Sequence, residues 1–224
     1  MATEPCAVIW DVDGTLVDTA KMHFDAWVRL AGEMGRPFSK DDFAATFGRR
    51  NPEIIRYLFR EEFTDPQVAE IGERKETYYR TVAETGVELL PGVRSLLKDL
   101  HRLGVHQAVG SSAPRANLDL ILKITKSDEF FEAIVGMEDT TRGKPDPEVF
   151  LVAARKLGIP PSRCIVFEDA VAGVQAAKAG GMKCVVVTFA GHHPAERLRE
   201  AGADRVVKCF TETSADEVLA MLGG

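Results

Sequence analysis

The stretch that decides the fold is Cys6-Ala-Val-Ile-Trp10-Asp11-Val12-Asp13-Gly14-Thr15. An unbroken apolar run of this length, ending in β-branched and aromatic residues, predicts a strand covered on both faces. It stops at two aspartates one residue apart. In extended chain, residues i and i+2 face the same side, so Asp11 and Asp13 are expected to project together beyond the strand's carboxyl end. Open α/β sheets bind ligands at that edge. Two ionised carboxylates so close repel, so one must hold a proton or a cation must lie between them. Gly14 lets the chain turn away. An Asp-x-Asp-Gly string alone also fits a solvated turn or a fragment of a calcium loop. The apolar strand in front of it points to a site.

Outward from this strand, short β-rich runs recur at 106–110, 132–136, 164–168, 184–188 and 205–207, with helical patterns at 91–103, 114–123, 147–157 and 170–179. Asp146 is the expected N-cap of the third of these helices, with Pro147 at its first position. Strands alternating with helices mean parallel strands joined by crossovers, hence an α/β, doubly wound, mostly parallel sheet. The stretch 19–88 breaks the rhythm and offers only helices. Ala20, His23, Phe24, Trp27, Leu30, Ala31 and Met34 form one apolar stripe at helical spacing. Ser39-Lys-Asp-Asp42 reads as a capping box, and Asn51-Pro52 and Asp65-Pro66 each read as an N-cap followed by proline. The expected organisation is a Rossmann-like core, 1–18 and 89–224, carrying an inserted α-helical domain, 19–88.

Composition narrows the function classes. With 224 residues, 45% hydrophobic and 28% charged, the chain can bury a core without disulfides. Lys and Arg number 28 against 34 Asp and Glu, a net charge of −6 without a basic run, so no nucleic-acid partner is expected. Cys6, Cys164, Cys184 and Cys209 form no Cys-x-x-Cys pair and lie in or beside apolar runs, as buried thiols of a reducing compartment do. No apolar stretch approaches the roughly 20 residues of a membrane span. The start, Met1-Ala-Thr-Glu4, lacks a secretory leader's basic region. The expected protein is cytoplasmic, membrane-free and monomeric.

The other strand ends carry matching chemistry. The second run enters Gly110-Ser111-Ser112 before a helix, where a hydroxyl and free N–H groups suit an anion, though Ser111 also fits a plain N-cap. After the third comes Gly143-Lys144-Pro145-Asp146-Pro147, a stiff loop with one amine. The fourth ends in Phe167-Glu168-Asp169, hard oxygen ligands suited to Mg²⁺, although Asp169 also fits a helix cap. Each feature alone has a bland explanation; four strand ends together do not. Mg²⁺ between the acidic pairs would screen a phosphate, Lys144 and Ser111 would hold its oxygens, and Asp11 would attack phosphorus.

At this point the chain resembles a family. DVDGT (11–15), GSS (110–112), GKPDP (143–147) and FEDAVAGVQAAKAGG (167–181) are similar, in order and spacing, to the motifs of the haloacid dehalogenase superfamily, and most similar to its β-phosphoglucomutase-like and sugar-phosphate phosphatase branch. The helical insert falls where that family carries an α-helical cap. The resemblance implies that Asp11 is the nucleophile and a Mg²⁺ ligand, and that Asp13 is the general acid/base and binds the metal through its backbone carbonyl. It implies that Ser111 and Lys144, with Ser112 beside them, hold the phosphoryl group, and that Asp169, supported by Glu168, completes the metal site. Expelling an alkoxide at neutral pH needs a proton donor, so Asp13 favours phosphate esters over halide or phosphonate chemistry.

Phosphatase and mutase share this core. The mutases carry Gly-x-Ser-Arg in the cap, where this chain has Gly48-Arg49-Arg50-Asn51, and a second hydroxyl where this chain has Ala113. His23, Trp27 and Lys75 fall where the mutases carry the same residues. His23, Arg49, Arg50 and Lys75 are therefore the candidate substrate residues of the cap, with Trp27 read as core packing. The expectation is a Mg²⁺-dependent phosphatase of a small phosphorylated metabolite, sugar phosphates foremost. A β-phosphoglucomutase-type isomerase ranks second, and a catalytically inactive binding protein a remote third. His192 and His193 read as a solvated loop pair.

Overall fold

From the strand Ala7–Trp10 (β1) the chain runs directly into four helices: Ala20–Glu33 (α1), Lys40–Thr46 (α2), Asn51–Phe59 (α3) and Asp65–Ala83 (α4). It returns through Val93–Arg102 (α5) and then alternates. His106–Gly110 (β2), Arg115–Thr125 (α6), Ala133–Val135 (β3), Glu148–Leu157 (α7), Cys164–Glu168 (β4) and Val171–Ala179 (α8) come first. Lys183–Val187 (β5), Ala195–Glu200 (α9), Arg205–Val207 (β6) and Ala215–Ala220 (α10) complete the order. This computed structural model describes residues 4–60 and 63–222. Residues 1–3, read above for a leader, lie outside the described residues.

The six strands lie in the order β3-β2-β1-β4-β5-β6, and every pairing is parallel. A strand between two others presents both faces to helices. On β1, Val8 and Trp10 enter the core beneath α5, α6 and α10, while Ala7 and Ile9 enter the core beneath α7, α8 and α9. That two-sided burial is why β1 reads as continuous rather than alternating. A third apolar cluster, built on Trp27, Leu30, Ile54, Ile55 and Phe59, holds the four helices after β1 together. The two crossings between these helices and the sheet touch each other: Val17 bridges Leu89 antiparallel, and Leu90 N–H donates to the Leu16 carbonyl at 2.8 Å.

The Ser39–Asp42 capping box forms as expected. Three other helix starts shift by one residue. Asn51 and Asp65 are the first helical residues, not caps; Arg50 and Thr64 precede them. The Asn51 side chain instead donates its amide N–H to Glu76 at 2.7 Å. Thr64 and Gln67 make a capping box that sets the start of α4 one residue earlier. Pro147 holds the cap position of α7, although Asp146 still accepts a hydrogen bond from Glu148 N–H at 3.0 Å.

Candidate active site

β1 pairs with β2 on one side and β4 on the other, so Asp11, Ser111, Glu168 and Asp169 leave neighbouring strand ends and meet. All four are buried. Lys144 arrives from the loop between β3 and α7. Its ammonium donates to Asp11 Oδ1 and to Glu168 Oε1, each at 2.6 Å, with the Phe150 ring 4.8 Å away. Ser111 does not cap a helix: α6 begins at Arg115 behind Pro114, and Ser111 Oγ instead accepts from Ala113 N–H at 3.1 Å. Ser112 is half-buried and lines the same cavity.

Oxygens of Asp11, Glu168 and Asp169 lie within 4.8 Å of one another. Three carboxylates share one amine here, leaving excess negative charge away from water. Burial pushes Asp11 up to about 7, against the pull of Lys144 and helped by Glu168. Burial, then Glu168 and Asp11, push Asp169 well above the carboxylate range. Asp169 Oδ2 is buried without a hydrogen-bond partner. Gly14 makes room for it: a Cβ there would sit 2.0 Å from that oxygen, and the φ of +84° suits glycine alone. Glu168, not Asp169, holds the start of α8, its Oε2 accepting from the N–H groups of Asp169 and Ala170, each at 2.7 Å. An orphaned buried carboxylate oxygen, hard oxygen donors and uncompensated charge fit a small divalent cation.

The Asp13 carboxylate, expected beside that of Asp11, is not in the cluster. The chain turns at Gly14, and Thr19 and His23 draw it toward α1: Thr19 Oγ1 donates to Asp13 Oδ1, and His23 Nε2 lies 3.1 Å from the same oxygen. Burial raises the proton affinity of Asp13, but the charge and hydrogen bond of His23, then Thr19, outweigh it and hold its pKa at about 2. His23 stacks on Tyr79 at 4.0 Å. Lys75 Nζ lies 2.6 Å from His23 Nδ1 and 2.9 Å from Glu76 Oε1. Glu76 in turn accepts from Asn51 at 2.7 Å and from Asn117 on α6 at 2.6 Å.

Sequence reasoning missed Thr19, Tyr79, Glu76, Asn51 and Asn117 as parts of this site. The signal for Glu76 is its place beside Lys75, but Glu73-Arg-Lys-Glu76 reads as a solvated charge run until the fold buries half of it. The two arginines separate. Arg49 is exposed and lines the cavity. Arg50 is not among the lining residues; its stem covers Gly143 and its guanidinium donates to the Met137 carbonyl at 3.0 Å. Trp27 is core and is also among the residues lining the cavity. His192 and His193 are half-buried rather than solvated, because His192 packs on Phe47 at 4.3 Å.

A cavity lies between the strand ends and the helices above them. Asp11, Asp13, Ser111 and Lys144 line it together with His23, Asn51, Lys75 and Glu76. Among the described residues no helix is long and apolar enough to cross a membrane.

Comparison with known proteins adds to this geometry. A family model described as haloacid dehalogenase-like hydrolase matches residues 8–187. A phosphorylated carbohydrates phosphatase of Thermotoga maritima is 31% identical over 209 residues, covering 90% of this chain and 94% of that protein. A β-phosphoglucomutase of Bacillus subtilis is 34% identical over 188 residues, covering 81% and 82%. A crystal structure of β-phosphoglucomutase from Clostridium difficile superposes with a TM-score of 0.87 at 26% identity, covering 98% of this chain and 97% of that one.

Proposed function

The chain belongs to the haloacid dehalogenase-like hydrolases, in their β-phosphoglucomutase-like branch, and from that premise we propose that it is a phosphatase of small phosphorylated sugars. The observation that carries the proposal is Lys144 bridging Asp11 and Glu168 beside an orphaned Asp169 oxygen. That arrangement holds a carboxylate nucleophile next to an amine that binds phosphate oxygens. In the proposed reaction Asp11 attacks phosphorus, the bond to the sugar oxygen breaks, and the leaving alkoxide takes a proton from Asp13. Water then attacks the aspartyl-phosphate and Asp13 takes its proton, which frees phosphate and restores Asp11. Asp11 and Asp169, supported by Glu168, would hold Mg²⁺, which supplies screening of the substrate's negative charge. With its pKa at about 2, Asp13 is ionised, the form the second step uses. An incoming phosphate dianion raises its proton affinity toward the form the first step uses.

A mutase would need a cation and a hydroxyl to hold a second phosphate. Ala113 and Asn51 line the cavity where the family's mutases are expected to provide them, which favours water as the acceptor. The test is phosphate release from a panel of sugar phosphates, with Mg²⁺ and with EDTA, and with and without catalytic glucose 1,6-bisphosphate. Mg²⁺-dependent release that exceeds isomerisation of glucose 1-phosphate is expected. Isomerisation outrunning release would assign the mutase reaction instead.

A further inference from the structure

Asn117 is a buried amide on α6, on the sheet's side of the molecule, whose side chain finds its partners on α4. It is 2% exposed and is not among the residues lining the cavity. Its Nδ2 donates to Glu76 Oε2 at 2.6 Å, and its Oδ1 accepts from Arg80 Nη1 at 3.1 Å. Glu76 and Arg80 lie one turn apart on the same face of α4. A single amide therefore spans two side chains of a helix inserted after β1.

The polarity of this contact is fixed. Asn117 presents its donor to a carboxylate and its acceptor to a guanidinium. Reversed, the amide would oppose like with like at both ends. Burial pushes the Glu76 carboxyl up, but Lys75, His23 and the amides of Asn117 and Asn51 outweigh it and keep the group ionised. A hydrogen bond to a buried charge is among the stronger ones a protein makes. From Glu76 the contacts run inward. Its Oε1 accepts from Lys75 at 2.9 Å, Lys75 Nζ lies 2.6 Å from His23 Nδ1, and His23 Nε2 lies 3.1 Å from Asp13 Oδ1. Lifting α4 away from α6 breaks both Asn117 bonds and draws this chain of contacts off Asp13.

We infer that Asn117 is a positioning residue: its amide latches α4 to α6 through Glu76 and Arg80, and so keeps the helices after β1 closed over the cavity with Lys75 and His23 set against Asp13. Its part in turnover rests on the phosphatase function proposed above, whereas the latch itself does not.

The test reverses the direction of one hydrogen bond. Asn117→Asp keeps the acceptor for Arg80 but sets a carboxylate against Glu76. Arg80 is already shared with Glu73, so it offsets only part of that repulsion. Glu76→Gln sets two amide donors face to face, because Asn51 and Lys75 hold the other oxygen in place as an acceptor. The double variant Asn117→Asp, Glu76→Gln again joins a donor to an acceptor, in the opposite sense. Closure is read by acrylamide quenching. Trp10 is fully buried in the sheet core, whereas Trp27, the other tryptophan, lines the cavity, so opening admits quencher to Trp27 against a constant background.

Each single variant should raise the quenching slope by about twofold or more and lower kcat/KM for p-nitrophenyl phosphate by about tenfold. In the double variant the loss of kcat/KM should be smaller than the product of the two single losses by about tenfold or more, with the quenching slope back near that of wild type. The cycle cancels whatever Glu76→Gln transmits through Lys75 alone. A double loss equal to that product overturns the inference, because Asn117 and Glu76 then act independently. A wild-type quenching slope in both single variants overturns it too. Should Asn117→Asp fail to fold, Arg80→Met decides, since that side chain is partly exposed and supplies the second bond of the latch. Its quenching slope should rise by about 1.5-fold, and a wild-type slope overturns the inference. No phosphate release by the wild-type protein from sugar phosphates or p-nitrophenyl phosphate would refute the phosphatase function instead, and the quenching slopes alone would then decide the latch.

Discussion

Asp11 keeps one oxygen on the Lys144 ammonium at 2.6 Å and shares its surroundings with two further carboxylates. Asp11→Asn retains an acceptor for Lys144 while removing the proposed nucleophile and one of the repelling charges. Turnover should fall by on the order of 10³-fold or more. The melting temperature in EDTA should stay within a few degrees of wild type or rise, because a charge leaves a crowded site. A purified variant with a wild-type phosphate-release rate would refute the nucleophile. The strand-end residues were legible in the sequence because an acid, a hydroxyl or an amine directly after an apolar run has no packing reason to be there. Glu76 and Asn117 were not legible. They lie within helices, at positions where a polar residue ordinarily faces water, and only the packing of α4 against α6 turns them inward.

The turn between α2 and α3 carries two arginines with different partners, so single substitutions should separate them. Arg50 ties the start of α3 to the Met137 carbonyl and covers Gly143, next to Lys144. Arg50→Ala should cost about 1–2 kcal/mol of stability and slow sugar phosphates and acetyl phosphate alike, because it loosens the loop that aims Lys144. Arg49→Ala should leave the melting temperature unchanged and lower kcat/KM only for substrates that reach the rim, by several-fold. Acetyl phosphate, which has no remote part, should be insensitive to it. Equal effects of the two substitutions on both measurements would contradict this division. At this scale the sequence located every strand to within a residue or so and placed the helices after β1. Its errors were helix ends displaced by one or two residues and the short helices α9 and α10, for which it offered no pattern. Whether a side chain such as Asn51 caps its own helix or serves a partner 25 positions away depends on tertiary contacts that local patterns do not contain.

For the whole molecule, the strand-end carboxylates make stability depend on pH and, with the proposed cation bound, on metal. Burial, chiefly, raises Asp11 to about 7 and Asp169 well above its ordinary value, so the folded protein holds protons that the unfolded chain has released. Stabilisation from protonated Asp11 is fully present below about pH 4 and is lost as pH rises through about 7, and that from Asp169 runs in the same direction. Asp13 works in the opposite direction: held at about 2, it contributes above about pH 4, and that contribution is lost as pH falls toward 2. A divalent cation held by these carboxylates, as proposed, would compete with the protons on Asp11 and Asp169. The rise in melting temperature on adding Mg²⁺ should therefore be small at pH 5 and grow steadily to pH 8. An increment independent of pH would contradict the assignment of these carboxylates to the cation. The paired crossings at Leu16–Val17 and Leu89–Leu90 have a mechanical consequence. A lid on two separate tethers can slide, tilt and twist, whereas one carried on a hydrogen-bonded ribbon swings like a door on a single hinge. Opening would then carry His23, Lys75 and Glu76 away together as one rigid jamb, leaving Asp11 and Lys144 behind on the frame.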